Sequence, residues 1–506
     1  MRRRTFRLLP ALLLAAGALV ALQPAAALAR QVHRGPPARR AALPIAVSLQ
    51  IAHAGRPVPA RFLGLSFEVG ALAQLGSYAG RGDLVRLLRS LGPGVLRFGG
   101  VTADQNVAWT DAQTPRPAWA SSTIGPEQMH DLALLARRSG WRVLLTVGMA
   151  HFEPEAIARE VLAAKRALGA NLEAVEFGNE PDAFGRHGFR PLPWLVQGYV
   201  EEVAYARDSI AALTPGVQVA GPDVSGSGIF GSWGYAMAVT QSPLELTGHH
   251  YPLGCTHQPP PSAELLLSPA MRAREAQSLT TYLGVASAQH LPLRIDEANS
   301  VSCGGVSGVS DTFAGALWAA GYIAQSMAAG AAGINLHGHP NNCSGYSPVC
   351  APDATAVEGG RLRAQPDWYA LLLTRSLIGW RPVPTPVSRP SSTTNLVATG
   401  FAGPHGSIKL LLCDDDPPGT APLSLHVHVG AGMGTGTVER LTAPSPQARD
   451  GVLLSGHSVS GDGRWHGGRP RRARPSGGIV YLKMQPSSAA LLTVEPASPH
   501  RGARKR

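Results

Sequence analysis

"AVEFGNEPDAFG", residues 174 to 185, runs apolar and extended and then stops at Asn179-Glu180-Pro181. Pro181 disfavours the helical region for the residue before it, so Glu180 is expected extended at a strand terminus. The same texture recurs along the chain. Short apolar runs stand at "RFLGLSFE" (61 to 68), "VLRFGG" (95 to 100), "RVLLTVG" (142 to 148), "LEAVEFGNE" (172 to 180), "VQVAGPD" (217 to 223), "LELTGHHY" (244 to 251), "LRIDE" (293 to 297) and "AGINLHGH" (332 to 339). Helical patterns separate them. Pro126 and Pro154 sit at first-turn positions, Gly140 and Gly169 follow last turns, and Ser310 precedes a long apolar helix as its expected cap. Eight strands alternating with helices over 61 to 380 predict a (β/α)8 TIM barrel. A doubly wound open sheet is the alternative, but no GxGxxG follows a first strand.

Outside the barrel the texture changes. Residues 381 to 496 hold alternating runs such as "SIKLLLC", "LSLHVHV" and "GIVYLKM", with Gly, Pro and Asp turns. That pattern predicts a β-sandwich. A lone early strand, "IAVSLQIA" within 44 to 60, has no place in the barrel and is expected to join the sandwich. The basic, then apolar, then small-residue start over 1 to 29 predicts a signal peptide, with twin-arginine or general export both open. Residues 30 to 43 predict a linker and 497 to 506 a basic tail. These features predict a secreted or periplasmic protein with no membrane span in its mature form.

The 506 residues are 44% hydrophobic, which fits a globular chain of about two domains. Net charge is +12, from 45 Lys plus Arg against 33 Asp plus Glu. Arg2, Arg3, Arg4 and Arg7 fall in the leader, so the remainder carries about +8. Further positive charge sits in "GRPRRARP" (468 to 475) and "RGARKR" (501 to 506). These read either as solvated segments or as an attraction for an anionic polymer such as an acidic polysaccharide. No nucleic-acid motif is present, so that partner is set aside. Of the five cysteines, Cys343 and Cys350 bracket a short loop and could staple it. No cysteine or histidine group has zinc spacing, "GHHYP" included, so neither a metal nor another cofactor is expected.

In a barrel of this kind catalytic groups project from the C-terminal strand ends. Glu180 would end the fourth strand and Glu297, in "PLRIDEANS", the seventh, with Asp296 beside it as a rival. Two carboxylates across one pit suit glycoside hydrolysis: one protonates the leaving oxygen and the other attacks the anomeric carbon. For both states to coexist, neighbours must raise the acid's pKa. Asn179 could hydrogen-bond the sugar hydroxyl next to the reacting carbon.

In this order, "LRFGG", "GNEPD", "HHYP", "DEANSVSCGG" and "DWYALLLTRSLIG" resemble glycoside hydrolase family 79 of clan A, which holds β-glucuronidases and heparanases. The resemblance spans about 45 to 490 and implies a retaining mechanism, with Glu180 as acid/base and Glu297 as nucleophile. It implies that Asn179 is the amide preceding the acid/base, and that Tyr251 and Arg97 support the nucleophile. It implies that Gly304, Gly305 and Tyr346 bind a uronate carboxylate, and that Glu68 and Asp104, ending strands one and two, bind sugar hydroxyls. The plainer readings are Arg97 as ion-pair partner of Glu176, Gly304 and Gly305 as a flexible turn, and Tyr251 and Tyr346 as packing residues. Ala298 departs from the Thr that the family often has after the nucleophile. A Cys255–Cys303 bridge is an expectation, since Cys255 follows the sixth strand and Cys303 the seventh.

The resulting expectation is a secreted exo-β-D-glucuronidase acting on uronic-acid-containing oligo- or polysaccharide. Heparanase-like endo-cleavage stands second. A β-glucosidase or arabinofuranosidase of the clan, and a non-catalytic carbohydrate-binding protein, are further alternatives.

Overall fold

The structure, a computed structural model, describes residues 44 to 388 and 394 to 497. The expected leader, the whole linker and nearly all of the basic tail lie outside the described residues. Eight parallel strands form the barrel: Leu63–Glu68, Val95–Gly99, Arg142–Val147, Leu172–Phe177, Ala220–Val224, Glu245–His250, Leu293–Ala298 and Gly333–Gly338, the first to eighth barrel strands. Each pairs with its neighbours, the eighth returns to the first, and a single bridge between Val175 and Val219 closes the fourth against the fifth. Their near-continuous apolar runs follow from burial on both faces.

Two strands carry irregularities that matter for chemistry. In the seventh, the register slips against both neighbours, between Arg294 and Glu297 on the sixth-strand side and between Ile295 and Ala298 on the eighth-strand side. A bulge of this kind re-aims side chains. It lets adjacent Asp296 and Glu297, which regular alternation would send to opposite faces, both reach the interior. The fifth strand slips likewise at Asp223, whose φ is +59°.

The helices start and stop largely where proline and glycine predict. Pro126 and Pro154 open Pro126–Ser139 and Pro154–Leu168, and Gly140 and Gly169 close them. Ser310 does not cap the long helix Phe313–Ala329. Its hydroxyl accepts from Val306 N, while the first amides of that helix donate to Ala448 O (2.8 Å) and Pro446 O (2.7 Å). A loop of the sandwich supplies the acceptors that a cap would otherwise provide.

The early strand Ile45–Ser48 pairs in parallel with Leu423–His428, which pairs antiparallel with Ile479–Met484. Facing this small sheet is a larger antiparallel one through Leu396–Ala402, Ile408–Asp414, Ser488–Val494 and Gly436–Thr442, with Arg471–Ala473 on Gly436–Thr442. Ile408, Leu410 and Leu412 point into the core between the sheets. Leu411 and Cys413, on the other face, join the main core that reaches the barrel helices.

Candidate active site

The site is built around Arg97, fully buried at the centre of the second strand. Two glycines of "LRFGG" make room. A Cβ at Gly99 would meet the Arg97 guanidinium at 2.5 Å, and one at Gly100 would collide with the Glu68 carboxyl. Arg97 Nε lies 3.1 Å from Glu176 Oε2 and 3.0 Å from Asp296 Oδ2. Its Nη1 donates to Glu297 Oε2 (2.7 Å) and Ser66 Oγ (3.0 Å), and Nη2 donates to Asp223 and to Asn179 Oδ1 (2.9 Å). Arg97 is therefore both the Glu176 partner and the support of Glu297.

This crowding sorts the carboxyls electrostatically. Burial and nearby carboxylates push Asp296 well above the usual range and lift Glu176 to about 7, despite Arg97. Burial also acts to raise Glu297, but His249, His337 and Arg97 outweigh it, aided by the Tyr251 phenol, and hold it far below an ordinary carboxyl. Tyr251 donates to Glu297 Oε1 at 2.8 Å. Of the three carboxyls Glu176, Asp296 and Glu297, it is Glu297 whose charge the surroundings favour.

Glu180 faces it. Its side chain is 25% exposed, against 8% for Glu297, so Glu180 presents itself to the cleft. The expected extended backbone is not found: Glu180 has φ +49° and ψ 54°, a left-handed conformation. Pro181 disfavours the right-handed helical region and leaves this one open. The N–H of Glu180 donates to Asp223 O (2.9 Å), its carbonyl accepts from Ala183 (2.8 Å), and these bonds select it. His249 Nδ1 lies 3.0 Å from Glu180 Oε1 and 3.8 Å from Glu297 Oε1. Two oxygens that close to one nitrogen are less than about 7 Å apart, short of most of the range used by inverting pairs. Burial works against the charge on His249, but Glu297 and Asp223 raise its pKa well above the usual value. The ring spans the two carboxyls, with Nδ1 on Glu180 Oε1 and Nε2 2.6 Å from Asp223 Oδ1.

Above the pair opens a cleft of about 1050 Å³, lined by Glu68, Asn179, Glu180, Tyr251, Glu297, Gly304 and Tyr346 among others. Glu68 Oε2 accepts from Thr102 N and Oγ1, leaving Oε1 toward His337 Nε2 at 3.6 Å. The Tyr346 phenol lies 3.2 Å from that of Tyr251, and its amide donates to Gly304 O (3.1 Å). Disulfides Cys255–Cys303 and Cys343–Cys350 fix the two loops that carry Gly304 and Tyr346, and Cys413 is free and buried.

Two expected sugar-binding positions are corrected. Asp104 lies on a short helix, Thr102–Gln105, not on a strand end, and is buried away from the cleft. Its oxygens accept from Met149 N, Ala150 N and Asn179 N, at 2.7, 2.9 and 2.6 Å. It ties the ends of the third and fourth strands together, with its pKa raised to about 6 by burial against those bonds. Gly305 (φ +87°) does not line the cleft, and its N–H donates to Ser302 O at 3.3 Å.

Sequence reasoning missed Asp223, His249, His337 and His339. Asp223 closes "VQVAGPD", so the strand-end rule that found Glu180 applies to it as well. In the sequence His249 stands out only as a candidate for metal spacing. It does lie with Asp223 and Asp296 in a group able to ligate an ion, as do Glu68, His337 and His339. In the first group the Arg97 guanidinium already supplies the positive charge, 2.8 Å from Asp223.

No family model matches the chain. A curated β-glucuronidase of Neurospora crassa is 25% identical over 243 residues, 43% of this chain and 41% of that protein. The match therefore spans about two-fifths of the curated relative's length. A 4-O-α-L-rhamnosyl-β-D-glucuronidase from Fusarium oxysporum 12S superposes with TM-score 0.69 at 20% identity, over 88% of this chain and all of that one. A family 51 arabinofuranosidase from Xanthomonas axonopodis pv. citri gives 0.63 at 14% identity, over 89% of this chain and all of that one. Both likenesses show a shared fold.

Proposed function

We propose that this family-79-like glycosidase with the clan A fold releases β-linked D-glucuronic acid from the ends of glycans with retention of configuration. The observation that carries the reading is the pair Glu180 and Glu297, sharing His249 Nδ1 at 3.0 and 3.8 Å under an open cleft. Glu297, held ionised, attacks the anomeric carbon and forms a glycosyl ester while Glu180 protonates the departing oxygen. Glu180 then takes a proton from water, which hydrolyses the ester and regenerates both carboxyls. Arg97 and Tyr251 hold Glu297 in line, and the Asn179 amide, fixed through its oxygen by Arg97, turns its N–H groups to the sugar.

For the uronate, Tyr346 and the backbone at Gly304 form the proposed binding wall, Gly304 letting an anion approach the main chain closely. Glu68 takes a ring hydroxyl through Oε1. Action at a chain end is supported by Gln74 and Asn341, which exchange two 2.8 Å hydrogen bonds between the helix after the first strand and the loop after the eighth. Both line the cleft, and their bridge narrows one side of it.

The test compares hydrolysis of aryl β-D-glucuronide and aryl β-D-glucoside by the wild type, Glu297→Gln and Glu180→Gln. Glucuronide turnover should collapse in Glu297→Gln. Glu180→Gln should chiefly slow release of the glycosyl ester, because a phenol leaves with little acid help. Preference for the glucoside would overturn the uronate wall, and full activity in Glu297→Gln would overturn the nucleophile.

A further inference from the structure

The arginine-rich run 468 to 475 takes no part in the cleft, yet the fold gives it a definite setting. Arg471–Ala473 forms an edge strand beside Gly436–Thr442 in the larger sandwich sheet. Arg469, Arg471, Arg472 and Arg474 are all exposed. Among the described residues none of the four pairs with a carboxylate, and 463 to 494 contains no acidic residue. Like charges even face one another. Burial lowers the Arg440 pKa, and Arg471 pushes it further in the same direction. Arg440 in turn crosses to the other sheet, donating to Lys483 O at 2.8 Å.

Lys483 belongs to Ile479–Met484, where Val480, Leu482 and Met484 are buried while Tyr481 and Lys483 point outward. Tyr481 is 57% exposed, level with Tyr205 at 58% among the described residues. It is also positioned: the His426 ring meets it edge-on at 4.8 Å, from the cross-strand partner position. Around it on the neighbouring strands stand small or polar residues, Ser424, Ala46 and Ser48. A flat aromatic surface among small neighbours suits a sugar ring, and the unpaired guanidinium groups of the edge that Arg440 links to this strand suit sulfate or carboxylate groups.

We infer that the outer face of the sandwich, Tyr481 with Lys483 and the Arg469–Arg474 edge, is a non-catalytic binding site for a polyanionic glycan. Repulsion among cations that lack internal partners is relieved by an external anion, and an array of several charges favours a polymer over a free ion. The site is separate from the catalytic cleft, so it stands or falls independently of the proposed reaction.

Affinity electrophoresis on heparan sulfate tests it, with hydroxyethylcellulose as uncharged polymer and duplex DNA as a polyanion that is not a glycan. The Glu297→Gln chain is the probe, so that the polymer stays intact. Retardation by heparan sulfate should fall at least tenfold in Arg471→Ser/Arg472→Ser/Arg474→Ser and about threefold in Tyr481→Ala. In the active chain the same substitutions should leave aryl glucuronide turnover unchanged, which shows that each variant folds. Retardation that persists in the triple variant would overturn the inference. So would a Tyr481→Ala variant equal to its parent, or equal retention by duplex DNA, since either would reduce the face to a simple anion exchanger.

Discussion

The barrel holds two buried arginines, one at its mouth and one at its floor, and they are used differently. Arg294, on the floor, meets one carboxylate, Glu245 at 3.1 Å, and completes its bonds with Asn335 Oδ1 and Arg61 O. Below the mouth, Val95, Leu144, Ala174 and Ala220 fill the axis with apolar groups. Arg97, at the mouth, is surrounded by Glu176, Asp223, Asp296 and Glu297. The floor is a balanced pair with nothing left over, as a structural contact should be. The mouth has more carboxyls than cations, so protons must be held by some of them, and a crowded set with divergent pKa values can do acid–base work.

Breaking the mouth should have the largest effect. Arg97→Met leaves several buried carboxyls without their counter-charge and should cost about 3–5 kcal/mol of stability. Glucuronide kcat/KM should fall by about 10³ or more, on the scale of losing a preorganised electrostatic group. Denaturant titration and steady-state kinetics on the same preparation check both. Arg294→Met should destabilise by a similar amount, about 3–5 kcal/mol. The fraction that remains folded should, however, turn over within about twofold of wild type. Adding Glu245→Leu should restore part of the lost stability, because the orphaned carboxylate is then gone. Loss of kcat in folded Arg294→Met would erase the distinction between mouth and floor.

A smaller change sharpens the comparison. Tyr251→Phe removes one charge-assisted bond to Glu297 and should lower kcat by about 10- to 100-fold, from about 1.5–3 kcal/mol. Its melting temperature should move little. The smallest effect expected is on pH dependence. Glu176 has its pKa raised from 4.5 to about 7 in the folded chain. Between those values the folded state keeps a proton that the unfolded chain has released, so stability falls with rising pH. That contribution is complete below pH 4.5 and lost as pH passes through about 7. Glu176→Gln should flatten this part of the decline, measured by denaturation at intervals from pH 4 to 9.

The strands, their order and the opposed carboxyls were legible because barrel interiors demand apolar runs, and strand ends there project into one pit. Legibility failed where a side chain's role depends on partners from other elements. Asp104 stands near a strand end, as Glu68 does. Only the approach of Met149, Ala150 and Asn179 amides shows that it is consumed inside. Glu180 shows the limit of a local rule: Pro181 removes one backbone region, and a carbonyl from the next strand chooses among the others. His249 was hidden because spacing was asked about a metal, whereas its contacts, to Glu180, Asp223 and Glu297, come from three different strand ends. The bulge that turns both Asp296 and Glu297 inward leaves no mark on composition.

The strand Ile45–Ser48 has a consequence for how the molecule is made. Ile45 aligns with Leu425, roughly 380 residues further along. A chain synthesised from its amino end displays Ile45 and Val47 without their sheet partner until the barrel and half of the sandwich have been added. Closing that pairing last would act as a clasp around a finished barrel, and the rate at which it shuts would set when the molecule becomes resistant to proteolysis.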